Sequence, residues 1–130
     1  MEDLLVVAVS MIFAHEGAHV LVNRLLGGQF RRVVFRGLAV GVELTVTGLS
    51  PTAVAWTLIA GPLAEALVAG AASILAPRAD AWWLLLLAVQ WGTNVVPWGF
   101  FPNDGTRLWR LWKPDPASSS IMCKRKVGGL

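Results

Sequence analysis

Thiols and phenols are almost missing from this chain. It has one cysteine, Cys123, and no tyrosine. A single thiol excludes an internal disulfide framework and any cysteine-based zinc site. Charge is scarce as well: Asp, Glu, Lys and Arg make up 15% of 130 residues, against 55% hydrophobic, with a mean hydropathy of +0.61. A soluble domain of this size does not carry so few charges in such long apolar runs, so the composition points to membrane spans. The net charge of +3 is too small to argue for nucleic acid, and the arginines are not interleaved with stacking aromatics. The first run lacks a basic leader, having Glu2 and Asp3 instead, and it continues past signal-peptide length; it is read as structural. The length fits one domain.

Three apolar segments stand out. Residues 4–26 contain only Glu16 and Arg24 as charges, and as a helix of roughly 35 Å they can cross a bilayer with some tilt. Gly27-Gly28 ends them. Residues 51–76 begin with Ser50 placed as a cap and Pro51 at the first helical position, where its missing N–H does no harm. Gly61-Pro62 inside this segment predicts a freed carbonyl near Leu58 and a kink, and its many alanines and glycines predict close helix packing. Residues 82–101 open with Trp82-Trp83, which suit a membrane interface, and are broken by Pro97, Gly99 and Pro102. Broken backbone at membrane depth survives only where protein or a water-filled cavity covers it.

Between the first two segments Val40, Val42, Leu44 and Val46 alternate with Gly41, Glu43, Thr45 and Thr47, the period-two pattern of a half-buried strand. Residues 29–36 are its expected partner, with a turn near Gly37. Residues 105–112, with Trp109 and Trp112 beside Arg107 and Arg110, read as an interfacial helix. Positive charges cluster after the first and third segments, and only Arg78 balanced by Asp80 lies between the second and third. The positive-inside rule then places the N-terminus outside, residues 29–49 inside, 77–81 outside and the C-terminus inside. The expectation is an all-α membrane protein: three transmembrane helices, a small cytoplasmic-side β-hairpin between helices 1 and 2, and a broken third helix. Residues 1–113 form the core, and 114–130 a flexible basic cytoplasmic tail in which Cys123 is a palmitoylation candidate or an inert thiol.

His15-Glu16-Gly17-Ala18-His19 lies within the first apolar run. Histidines four apart share one helical face and can bind one zinc ion together. The glutamate after the first can polarise a water on that ion. Ionisable groups at membrane depth are functional candidates by default. A hydrolytic zinc site wants three protein ligands and an open position, and with two histidines in the chain the third must be a carboxylate: Glu43, Glu65, Asp80, Asp104 or Asp115. Topology puts Asp80 on the wrong side and Asp115 beyond the interface, and Glu43 falls on the polar face of a strand. Glu65 and Asp104 both stay open. The soluble extension of this motif would need glycine and histidine where Val22 and Leu25 stand.

Three ordered pieces add a resemblance. His15–His19, then Ala60-Gly61-Pro62-Leu63-Ala64, then Asn94-Val95-Val96-Pro97 with Pro102-Asn103-Asp104-Gly105 resemble the His-Glu-x-x-His, Gly-Pro-Leu and Asn-x-x-Pro … Asp-Gly motifs of the site-2 protease family of intramembrane zinc metalloproteases. The likeness covers Leu4 to about Trp112. It implies that His15, His19 and Asp104 hold Zn2+, that Glu16 is the general base, and that Asn94 lies near the substrate or the developing oxyanion. It also implies a zinc endopeptidase that cuts a transmembrane protein or peptide within or near the bilayer, after that substrate unwinds and pairs with the strand region. In two places the chain departs from the family. Glu65 stands where members commonly carry asparagine, and the Asn94–Asp104 spacing is two residues longer than usual.

Blander readings exist for each residue. Asp104 can cap a helix starting at Gly105, Asn94 can bond a neighbouring helix, and Glu65 can be a paired structural carboxylate. The alternative function is a non-catalytic membrane protein of the same fold that acts as a partner or chaperone. Substrate identity and oligomeric state are not legible in the sequence.

Overall fold

The inner face of this protein is more polar than its outer face. The computed structural model describes residues 2–36, 39–75, 80–98 and 103–113. They form a helix α1 (Glu2–Leu25), strands β1 (Gln29–Arg36) and β2 (Ala39–Thr45), and helices α2 (Pro51–Leu75), α3 (Asp80–Asn94) and α4 (Asp104–Trp112). The architecture is mostly helical with one small hairpin. Helices α1 and α2 pack along each other, and the buried residues of α1 recur every fourth position: Met11, His15, His19 and Asn23. The facing stripe of α2 includes Thr57, Leu58, Gly61, Glu65, Ala69 and Ala72. Spacings of three and four put each set on one helical face.

Exposure runs the other way. Leu5, Phe13, Leu21 and Leu25 of α1 and Leu67, Ile74 and Leu75 of α2 are all at least 60% exposed. In water such a surface would be a large apolar patch demanding cover. In lipid it is the natural outer face, with small and polar residues left for the helix–helix seam. Both helices are long and apolar enough to cross a membrane, with mean hydropathy 1.8 in each. The protein is therefore read as membrane-associated.

Ser50 Oγ accepts from the Ala53 N–H at 3.1 Å and Pro51 opens α2, as the sequence predicts. Helix α2 continues through Pro62 without interruption. Trp91 of α3 donates its indole N–H to the Pro62 carbonyl at 3.2 Å, tying the two helices together there.

The hairpin follows the alternation. Strands β1 and β2 are antiparallel, with Val33 opposite Val42 and Arg36 opposite Ala39. A bulge at Arg31 shifts the register between Phe30 and Arg32, and Arg31 uses it to reach Thr45 Oγ1 at 2.7 Å. The turn near Gly37 lies outside the described residues, as do the connection 76–79 and the tail 114–130.

Helix α3 is shorter than the apolar run that contains it. That run predicts helix to about Phe101, but the helix stops at Asn94 after 15 residues, about 22 Å of rise. The reason is local. Thr93 Oγ1 folds back on the carbonyls of Val89 and Gln90, and Pro97 cannot extend the ladder. The interface role expected of Trp82 and Trp83 also divides. Trp82 is 58% exposed, whereas Trp83 is 2% exposed and packs inside the protein. Trp109 and Trp112 of α4 are well exposed.

Candidate metal centre

Two elements distant in sequence meet at one point. His15 and His19 come from the buried stripe of α1, and Asp104 is the first residue of α4. Their Nε2, Nε2 and Oδ2 atoms are separated by 2.9 Å between the histidines and by 3.1 and 3.0 Å from each histidine to the carboxylate. Both histidines are about 5% exposed. Among the described residues, this is the group of His, Cys, Asp and Glu side chains that could hold a metal ion.

The far nitrogens decide what the near ones offer. His19 Nδ1 lies 2.6 Å from the Thr57 carbonyl, which can only accept, so the proton sits on Nδ1 and Nε2 presents a lone pair. His15 Nδ1 stands 2.9 Å from Glu65 Oε1, a close contact although not a well-aligned hydrogen bond. Two imidazole lone pairs and a carboxylate oxygen facing one another repel unless a cation or a proton lies between them. Tetrahedral zinc at about 2.0–2.1 Å from each donor sets neighbouring donors about 3.3 Å apart. The donor set fits such an ion after an opening of a few tenths of an ångström.

Gly61 makes the convergence possible. A Cβ there would come within 2.5 Å of His19 Nε2 and 2.8 Å of His15 Cε1, so α2 can approach the imidazoles this closely only without a side chain. On the other side, Asn103 sets Asp104. Its carbonyl oxygen accepts from the Thr106 N–H and hydroxyl at 2.8 and 2.7 Å. Its amide donates to the carbonyls of Thr93 and Val96 at 2.7 and 2.6 Å. Asn103, not Asp104, is thus the N-cap of α4. The capping alternative for Asp104 does not hold, and its carboxylate is free to turn to the histidines. Gly105 completes the join, because a Cβ there would fall inside the Val95 carbonyl.

The group opens on a cleft of about 610 Å³. Glu16, Asn94 and Asn103 line it together with β2 from Val40 to Leu44. Glu16 and Val42 line the same cleft, which sets the candidate base beside the strand. Asn94 faces the same cleft, with its amide 3.5 Å from Glu65 Oε1. Glu43, on the stretch of β2 that lines the cleft, is paired with arginines of β1: Arg32 Nε lies 2.6 Å and Arg31 3.8 Å from its carboxylate. The Arg32 hydrogen bond and charge hold that carboxyl below its usual value. Asp80 opens α3, in a different element, and Asp115 lies outside the described residues.

Sequence reasoning missed the supports. Thr57 acts through its carbonyl, which no side-chain pattern can flag. Asn103 stood within a quoted motif, yet its bridging role depends on where α3 stops.

Two long apolar helices beside a His-His-Asp group, with a glutamate in the adjoining cleft, mark a helical, membrane-associated protein with a candidate metal centre. A family model described as Peptidase M50B-like matches residues 4–104, most of the chain, and the protein belongs to that family. This agrees with the site-2 protease resemblance. No curated protein and no solved structure matches the chain.

Proposed function

We propose that the protein is an intramembrane zinc endopeptidase that hydrolyses peptide bonds within or near transmembrane segments. The observation that carries this reading is the meeting of His15 Nε2, His19 Nε2 and Asp104 Oδ2 at the wall of a cleft that Glu16 also lines. Bound there, Zn2+ would supply Lewis acidity, making water a competent nucleophile near neutral pH and polarising a carbonyl.

The remaining steps belong to the chain. An extended substrate pairs its main chain with β2, which lines the cleft together with the histidines. Extension is required because a helical peptide bond is shielded from water. Glu16 takes a proton from the attacking water as its oxygen adds to the peptide carbon. It returns that proton to the amide nitrogen as the C–N bond breaks. Asn94, at the cleft, is in a position to donate a hydrogen bond to the oxygen on which charge develops.

In the bilayer we place three spans, with α3 and the broken segment after it forming the third. The N-terminus is outside and the hairpin and C-terminus are cytoplasmic, by the positive-inside rule. Residues 1–113 are the catalytic core and 114–130 a basic tail. The test is cleavage of a transmembrane substrate by detergent-purified protein. Wild type is expected to cut, and Glu16→Gln is expected to keep its zinc and lose cleavage at least 100-fold. Cleavage that survives Glu16→Gln would remove Glu16 as the base. Wild type that holds zinc and cuts no transmembrane substrate would favour the binding-partner function.

A further inference from the structure

Glu65 is fully buried at 0% exposure, and the chemistry above makes no use of it. Among the described residues its ion-pair contact is His15, with Oε1 2.9 Å from Nδ1. Among the described residues its Oε2 has no hydrogen-bond partner. A carboxyl group buried without lysine or arginine is costly, so something must offset that cost.

We propose that Glu65 is the positioning residue of His15 in a carboxylate–histidine–metal arrangement, accepting the Nδ1 proton so that Nε2 stays free for the ion. The proposal rests on the metal reading above and deepens it. Three observations carry it. First, Thr57, Gly61 and Glu65 are spaced by four along α2 and share its buried face. The Thr57 carbonyl holds His19, Gly61 makes room for both rings, and Glu65 meets His15. One helix face therefore serves both ligands. Second, the Glu65 contact is on Nδ1, and the two nitrogens of an imidazole point away from each other. Glu65 thus cannot share an ion held by Nε2 of that ring, which separates a positioning role from direct ligation. Third, a dication held by the Asp104 carboxylate leaves a positive charge, which the buried Glu65 carboxylate offsets from the far side of His15 while Glu16 opens on the cleft. Asn94, 3.5 Å from Oε1, limits the rotation of the carboxylate. Partners of this kind typically tune metal affinity 10–100-fold.

The experiment uses the full-length protein in detergent, loaded with Zn2+ alone in competition with a chelator, and with Co2+ as a spectroscopic probe. Glu65→Gln keeps the shape and a carbonyl acceptor but removes the charge; Glu65→Leu removes both. Wild type is expected to bind one ion. Glu65→Gln should bind about 10-fold more weakly and Glu65→Leu about 100-fold, with the cobalt spectrum of Glu65→Gln keeping the wild-type coordination. Nitrogen-15 spectra of the metal-free protein provide a readout independent of loading. The His15 proton is expected on Nδ1 in wild type and Glu65→Gln, and as a tautomer mixture in Glu65→Leu. Unchanged zinc affinity in Glu65→Gln and Glu65→Leu beside a metal-binding wild type overturns this proposal and leaves the metal site standing. A changed cobalt coordination in Glu65→Gln overturns it in favour of direct ligation. A wild type that binds neither ion overturns both readings.

Discussion

Gly61→Ala tests the site most sharply, because it adds one methyl group where the structure has no room. The new Cβ would lie 2.5 Å from His19 Nε2, 2.6 Å from His19 Cε1 and 2.8 Å from His15 Cε1. Ordinary contact between such atoms is about 3.5 Å. Helix α2 and the imidazoles must therefore part by roughly 1 Å, and neither ring can swing aside without leaving Thr57 or Glu65. Overpacking of this kind costs about 1–3 kcal/mol, and about 1.4 kcal/mol is a factor of ten in binding. If the strain falls mainly on the ligand geometry, zinc affinity drops about 10–100-fold. The paired controls are Gly70→Ala in the same helix and Gly17→Ala between the histidines, since a Cβ at either position meets nothing within 4 Å. Both are expected to bind zinc like wild type, and Gly70→Ala should gain up to about 1 kcal/mol from helix propensity. The assay is chelator competition for zinc, with thermal unfolding in the same detergent. Equal zinc affinity in Gly61→Ala and Gly70→Ala would refute the idea that α2 closes on the imidazoles at this glycine.

Asn103→Ala removes the cap of α4 and two bonds to the end of α3, at a cost of about 2–4 kcal/mol; Asn103→Ser should recover only the cap, as read by thermal unfolding. Removing zinc with a chelator should lower the unfolding temperature, by the equivalent of about 2.7 kcal/mol for ion supplied at 100 times its dissociation constant. That shift should vanish in His19→Ala. The Glu43 carboxyl is held below its ordinary pKa by Arg32, so its contribution is present above the unfolded pKa and is lost as pH falls through the folded value. The stability difference between wild type and Glu43→Gln should therefore shrink in acid; a constant difference from pH 7 to pH 3 would argue against the pairing.

Much of the fold is legible because its signals are local. The apolar runs set α1 and α2, Ser50 and Pro51 set the start of α2, and strict alternation in residues 40–46 set a strand. Each depends on a few neighbouring residues and the period of one element. The third segment reads less well. Hydropathy carries through to Phe101, but the helix ends at Asn94, because hydropathy measures transfer into lipid whereas Thr93 and Pro97 govern the hydrogen-bond ladder. Trp83 was misplaced for a similar reason: a tryptophan near a helix start suits an interface, but only packing reveals which of two adjacent rings turns inward.

The sequence alone determined the chemistry on offer. Two histidines one turn apart with a glutamate between them, in an apolar run with no cysteine to compete, leave a carboxylate as the missing third donor. Glu65 and Asp104 remained open because spacing along a chain does not fix distance through space. Tertiary structure decided between their positions. The break after α3 and the Asn103 bridge swing Asp104 onto the Nε2 side of both rings, while the antiparallel packing of α1 on α2 puts Glu65 on the Nδ1 side of His15. One carboxylate lies by the Nε2 atoms and the other by Nδ1 of His15, a difference that only the relative placement of three helices sets.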